Sequence, residues 1–134
     1  MIVLSKDMEV GVNKIDEQHK ELINRINAVT SMGAHAVSVE ETQKTINMLG
    51  EYIVKHFNDE EAMQIQSDYP KYWEHKQQHE FFKAEYRKLK DTFLKYGPSA
   101  QFTLDMNKSL VNWIVRHIKS VDVEFGKYYN AQNK

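Results

Sequence analysis

Four stretches of this chain repeat apolar residues at spacings of three and four, a period that admits little besides packed amphipathic helices. From Asn13, the series Ile15, His19, Leu22, Ile23, Ile26 and Val29 draws one helical face, which fades near Gly33. Ser38, followed by Glu40 and Glu41, reads as a second helix start, and Ile46, Leu49, Ile53, Phe57 and Met63 form its stripe. The tetrapeptide SDYP interrupts it, because Pro70 restrains Tyr69 from helical geometry and favours the first turn of a new helix. A third face runs from about Lys71 to Tyr96 through Trp73, Phe82, Tyr86, Leu89 and Phe93, and YGPSA ends it. A fourth, from about Ala100 to Tyr128, carries Phe102, Met106, Leu110, Trp113, Ile114, Val121 and Phe125. The pattern predicts an all-α, antiparallel up-down four-helix bundle over residues 13–134, with residues 1–12 as an N-terminal arm laid across it.

Composition narrows the partners. The 134 residues carry 18 basic and 19 acidic side chains, a formal charge of −1, so no sign dominates, which argues against nucleic acid or an anionic membrane as the main partner. No run approaches the length of a membrane span, and the opening MIVLSKDMEV has no apolar core of signal-peptide length. A cytoplasmic protein is the expectation. The chain has no cysteine, which removes disulfides, iron–sulfur clusters and thiolate zinc sites. A metal here is held by His, Asp or Glu.

Six histidines are present: His19, His35, His56, His75, His79 and His117. All but His35 lie in or beside the apolar stripes. Within HFNDEEAM, His56 and Glu60 are four apart and share a helical face, as do His75 and His79 in HKQQH. A single histidine on such a face is ordinarily a core side chain bonded to a neighbour. The set is harder to explain that way. Each imidazole in a small core needs a partner, an unpaired buried polar group costs about 1 to 3 kcal/mol, and the core-facing acids are Glu60 and Asp122. Metal ions resolve the shortage, since they take imidazole lone pairs and neutralise carboxylates. Nitrogen and oxygen donors without sulfur suit iron, manganese or zinc. Seven donors are too many for one ion, which suggests two.

In order, His19, HFNDE (His56, Glu60), HKQQH (His75, His79) and HIKSVD (His117, Asp122) resemble the hemerythrin family, in particular single-domain bacterial hemerythrins. GVNKIDEQHKEL around His19, YP ahead of His75 and WIVRHIKSVD around His117 extend the likeness over about residues 10 to 125. One departure is Leu4, near which the family often has Trp; His35 matches no family ligand and reads as a surface or loop histidine. The resemblance implies two non-haem irons joined by an oxo or hydroxo bridge that bind dioxygen reversibly, for storage or delivery rather than turnover. It implies that His75, His79 and His117 hold one iron, His19 and His56 the other, and that Glu60 and Asp122 bridge them. Two six-coordinate irons so furnished keep one open position, on the two-histidine side. Dioxygen would enter there, or a small anion such as azide in the oxidised form. Ile114, Trp113, Phe57 and Ile23 are the candidate walls of that pocket, and Asp16, one turn before His19, a candidate supporting partner. An oxygen or redox sensor acting through a partner protein, or an enzyme consuming peroxide or nitric oxide, are the alternatives; the oligomeric state stays open. One local consequence is geometric. Five residues at about 100° each set His117 and Asp122 roughly 140° apart on a regular helix, so their convergence predicts a π-type turn between them.

Overall fold

The computed structural model describes residues 2–32 and 38–132; His35 lies outside them. The fold is an all-α four-helix bundle. Helix α1 spans Asn13–Met32, α2 Val39–Gln66 and α3 Tyr72–Tyr96. The fourth helix, α4, covers residues 100–132 and is not uniform. Its α-helical parts Ala100–Met106, Asn112–His117 and Val123–Gln132 are separated by two π segments, Asn107–Val111 and Ile118–Asp122. The second of these is the wide turn that the His117–Asp122 spacing requires. Among the described residues no helix is long and apolar enough to cross a membrane.

The helix ends arise from local chemistry. The Ser38 hydroxyl accepts a hydrogen bond from the Glu41 amide at 3.1 Å, and Ser99 caps α4 through the Phe102 amide at 3.0 Å. At the end of α2, Asp68 takes φ 53°, the left-handed turn that more often needs glycine. Its amide bonds the Ile65 carbonyl and that of Tyr69 bonds the Gln64 carbonyl, which closes the helix as Pro70 arrives. The chain then re-enters at α3 with His75 one turn in.

Residues 2–12 lie along the bundle. Asn27 exchanges two hydrogen bonds with the Ile2 backbone, and the Asp16 carboxylate accepts from the amides of Val10 and Gly11. Asp16 therefore fastens this segment; it makes no hydrogen bond to His19 among the described residues, though its charge helps raise that ring's pKa. Gly126 is where the segment meets α4, since a Cβ there would overlap the Val10 carbonyl. Leu4 packs against the main core.

Two apolar clusters fill the interior. The larger contains Leu22, Ile26, Leu49, Ile53, Phe82, Phe93, Phe102 and Leu110, each burial of this kind contributing about 1.5–3 kcal/mol. The smaller joins Val10, Val12, Ile15, Tyr69 and Phe125. The buried polar side chains His19, His56, Glu60, His75, His79, His117 and Asp122 belong to neither cluster. Trp73, expected in the α3 stripe, is 70% exposed, because it lies two residues ahead of His75 and so on the far side of the helix.

Candidate metal centre

All four helices contribute to this polar group. Helix α1 supplies His19, α2 supplies His56 and Glu60, α3 supplies His75 and His79, and α4 supplies His117 and Asp122. The pairs His56–Glu60 and His75–His79 share a face through the spacing of four. His117 and Asp122 do so only because the π segment adds a residue to the turn; His117 Nε2 lies 3.0 Å from Asp122 Oδ1.

The donor atoms form two sets, each with all its atoms within 4.8 Å of one another. One is Glu60, His75, His79, His117 and Asp122; the other is His19, His56, Glu60 and Asp122. Both carboxylates belong to both sets, with their oxygens divided between them. Glu60 Oε1 lies 2.9 Å from His75 Nε2 and 3.0 Å from His79 Nε2, while Oε2 faces His56 Nε2 at 4.0 Å. Asp122 Oδ1 lies 2.9 Å from His75 Nε2, while Oδ2 lies 3.0 Å from His19 Nε2.

Behind the rings stands a layer of partners that sequence reasoning missed. His56 Nδ1 meets Gln18 Oε1 at 2.8 Å, His117 Nδ1 meets Gln78 Oε1 at 2.9 Å and His79 Nδ1 meets Glu61 Oε2 at 2.8 Å. These oxygens only accept, so each Nδ1 carries a proton; Nε2 of His56 and His79 meets no acceptor in hydrogen-bond geometry among the described residues, which leaves its lone pair turned inward. Gln64 stands against His75 Nδ1 at 2.7 Å through its amide nitrogen, and its own oxygen is buried without a hydrogen-bond partner among the described residues. Exchanging the two amide ends gives His75 the same arrangement as the other three rings. The available signal was the glutamines themselves, Gln18 beside His19 and Gln78 inside HKQQH, both polar residues on half-apolar helices.

Burial and the two acids set the charges. Burial opposes the charged form of His19, His56, His75 and His117; it takes His56 down to about 4 and also lowers His117. At His75 burial is overcome by Asp122 and Glu60, which raise it to about 10, and Asp122 likewise raises His19 against burial. Burial alone would push both acids up, but the surrounding imidazoles hold Glu60 and Asp122 below the ordinary carboxylate range. Burial also opposes the charge of Glu61, and His79 and Lys76 lower it all the same.

A metal fits this donor set. Nε2 of His19, His56 and His79, both oxygens of Glu60 and Asp122 Oδ1 are buried and lack hydrogen-bond partners among the described residues. At about 1 to 3 kcal/mol each, that many orphaned atoms facing one point are costly unless cations sit between them.

The expected pocket walls fall unevenly. Ile114 and Ile23 are buried in the larger apolar cluster. Phe57 lies flat on His79, with centroids 3.8 Å apart and planes 3° apart, and touches the His56 ring at 5.7 Å. Trp113 stacks on His117 at 4.4 Å, which puts it against the five-donor set rather than beside His19 and His56.

Residues 10–128 match the Hemerythrin HHE cation binding domain. The chain is 28% identical over 138 residues to a bacteriohemerythrin of Stenotrophomonas maltophilia, covering 98% of this chain and 83% of that one. It is 32% identical over 123 residues to a myohemerythrin of Sipunculus nudus, covering 92% and 89%. A crystal structure of wild-type hemerythrin superposes with a TM-score of 0.84 at 24% identity, over 96% of this chain and 97% of that one, a likeness of fold. With a family match over nearly its whole length and a buried His/Glu/Asp group of the kind such a domain needs, the chain belongs to the hemerythrin family.

Proposed function

We propose that the protein binds dioxygen reversibly at a pair of non-haem irons, as a store or carrier and without turnover. In this reading His75, His79 and His117 hold one iron, His19 and His56 the other, and Glu60 and Asp122 bridge both, with an oxo or hydroxo group completing the bridge. The observation that carries it is the division of each carboxylate, one oxygen toward each donor set. When bound, ferrous iron supplies the electrons and the open position that dioxygen needs.

The rest is the work of the side chains. Five imidazoles against two carboxylates make a donor set of low negative charge, which favours the ferrous state. The Nδ1 partners hold the rings with their lone pairs turned inward, so little rearrangement accompanies loading. Every donor residue is nearly inaccessible, and Phe57, Ile23 and Ile114 add apolar cover that keeps bulk water and larger substrates out. Small anions such as azide are the expected ligands of the oxidised form. Metal analysis and the visible spectrum of purified protein test the reading. Two irons per chain, with a band that disappears when oxygen is withdrawn and returns with it, is the expected result. A colourless protein without iron, or steady consumption of peroxide or nitric oxide, overturns it.

A further inference from the structure

One imidazole is held unlike the rest. His79 meets three residues of α2 at once: the Phe57 ring covers its face, Glu60 Oε1 lies 3.0 Å from Nε2, and Glu61 Oε2 lies 2.8 Å from Nδ1. Where His56, His75 and His117 have the neutral amides of Gln18, Gln64 and Gln78 at Nδ1, His79 has a carboxylate. That carboxylate is itself 6% exposed, and its other oxygen takes a hydrogen bond from Lys76 Nζ at 3.1 Å. Lys76 stands one turn before His79 on α3, with its side chain 35% exposed. The relay therefore runs from solvent through an ammonium and a buried carboxylate to one imidazole.

A carboxylate draws the Nδ1 proton more strongly than an amide oxygen, because a charged acceptor makes the shorter and stronger bond. The ring gains negative character at Nε2 and becomes a better donor to an oxidised metal. Lys76 restrains this by sharing the carboxylate's charge. We propose that Glu61, held in check by Lys76, is a positioning residue that fixes the proton of His79 on Nδ1 and makes the three-histidine set the stronger electron donor of the two. The proposal rests on the di-iron reading for its second half and on the protein alone for its first.

Two measurements on the full chain separate those halves. In metal-free, nitrogen-15-labelled protein, the His79 ring is expected in the Nδ1–H form, and Glu61→Ala is expected to release it into a mixture of tautomers. In iron-loaded protein, poised with a redox dye where the parent is half reduced, Glu61→Gln is expected to raise the reduced-to-oxidised ratio severalfold, because a neutral amide draws the Nδ1 proton less strongly than a carboxylate. Lys76→Met is expected to lower the ratio by a smaller factor. The double variant is expected to match Glu61→Gln alone, because Lys76 acts through Glu61. Additive effects would mean that both charges act directly on the metal and would overturn the relay. An unchanged ratio in Glu61→Gln, with two irons in the parent, overturns the tuning role. A His79 tautomer unaffected by Glu61→Ala overturns the positioning role. A parent without iron refutes the di-iron reading instead, and the tautomer measurement still decides what Glu61 does.

Discussion

The two donor sets share both carboxylates, yet their imidazoles are braced very differently. In the larger set each of the three rings has a partner at Nδ1: Gln64, Glu61 and Gln78. Two of those rings are also covered by aromatic faces, His79 by Phe57 and His117 by Trp113. In the smaller set only His56 is braced, by Gln18. His19 Nδ1 has no hydrogen-bond partner among the described residues, and its Nε2 is at ion-pair distance from Asp122 but outside hydrogen-bond geometry. A braced ligand loses little freedom when it takes a metal, whereas an unbraced one must be ordered by the metal itself. The larger set is built to hold; the smaller is built to adjust. In the di-iron reading, an exchangeable ligand is expected on the second.

The most drastic way to break the contrast is to remove what the sets share. Glu60→Ala or Asp122→Ala takes an oxygen from each set at once, and among the described residues neither set holds a third acid. Iron content is expected to fall from two per chain to one or none, read by elemental analysis. Iron near the parent level in both variants would refute the shared role.

A gentler test separates the sets. On exposure to a chelator, one iron is expected to leave well before the other, with the protein retaining the ion of the five-donor set. Gln18→Leu is expected to widen the gap, weakening the smaller set by about 10- to 100-fold through the loss of the one brace it has. Release of both irons in a single phase, in parent and variant alike, would contradict the difference in bracing.

Much of this site is legible in the sequence, and the reason is helical geometry. Donors on helices announce themselves by spacing: four for His56–Glu60 and His75–His79, and an anomalous five for His117–Asp122 that demands the π segment found at Ile118–Asp122. The π segment at Asn107–Val111 carries no such pair, so nothing in the sequence marks it. The braces are illegible for a related reason. Gln64 reaches His75 across the α2–α3 connection, and Gln18 reaches His56 from a different helix, so neither contact has a sequence interval. Asp16 shows the converse hazard. Its spacing from His19 suggests a hydrogen bond to the ring, but its carboxylate oxygens accept from the backbone amides of Val10 and Gly11 instead.

The sets also differ in how protons load them when metal is absent. His75 has a folded-state pKa of about 10 against an ordinary 6.5, so its contribution is complete below 6.5 and lost as pH rises toward 10. His56, at about 4, has the opposite sign. Between 6.5 and 4 the unfolded chain binds a proton that the folded ring refuses, so stability falls as pH falls. Metal-free protein is therefore expected to melt at its highest temperature near pH 6.5 and at lower temperatures on either side. His75→Gln is expected to flatten the alkaline limb and leave the acidic one. A melting temperature that climbs steadily from pH 6.5 to 9 would contradict the assignment.

The smallest effect is expected from the apolar cover. Ile114 is fully buried one turn before His117, and it coordinates nothing. Ile114→Ala removes a wall without touching a donor, so iron content is expected to stay at two per chain. The void costs stability, about 2–5 kcal/mol if the neighbours do not relax into it, and melting temperature reads that directly. What changes in function is access. Azide is expected to bind the oxidised variant faster than the parent, and the oxygenated form to decay sooner, because water reaches a site that depends on excluding it. Ile114→Trp is expected to slow azide binding instead, with iron content again unchanged. The contrast between the sets adds a location: azide is expected on the iron of His19 and His56, since the braced set has no donor to give up. Azide on the three-histidine iron, or equal azide binding rates in the two Ile114 variants, would reverse the assignment of the open side.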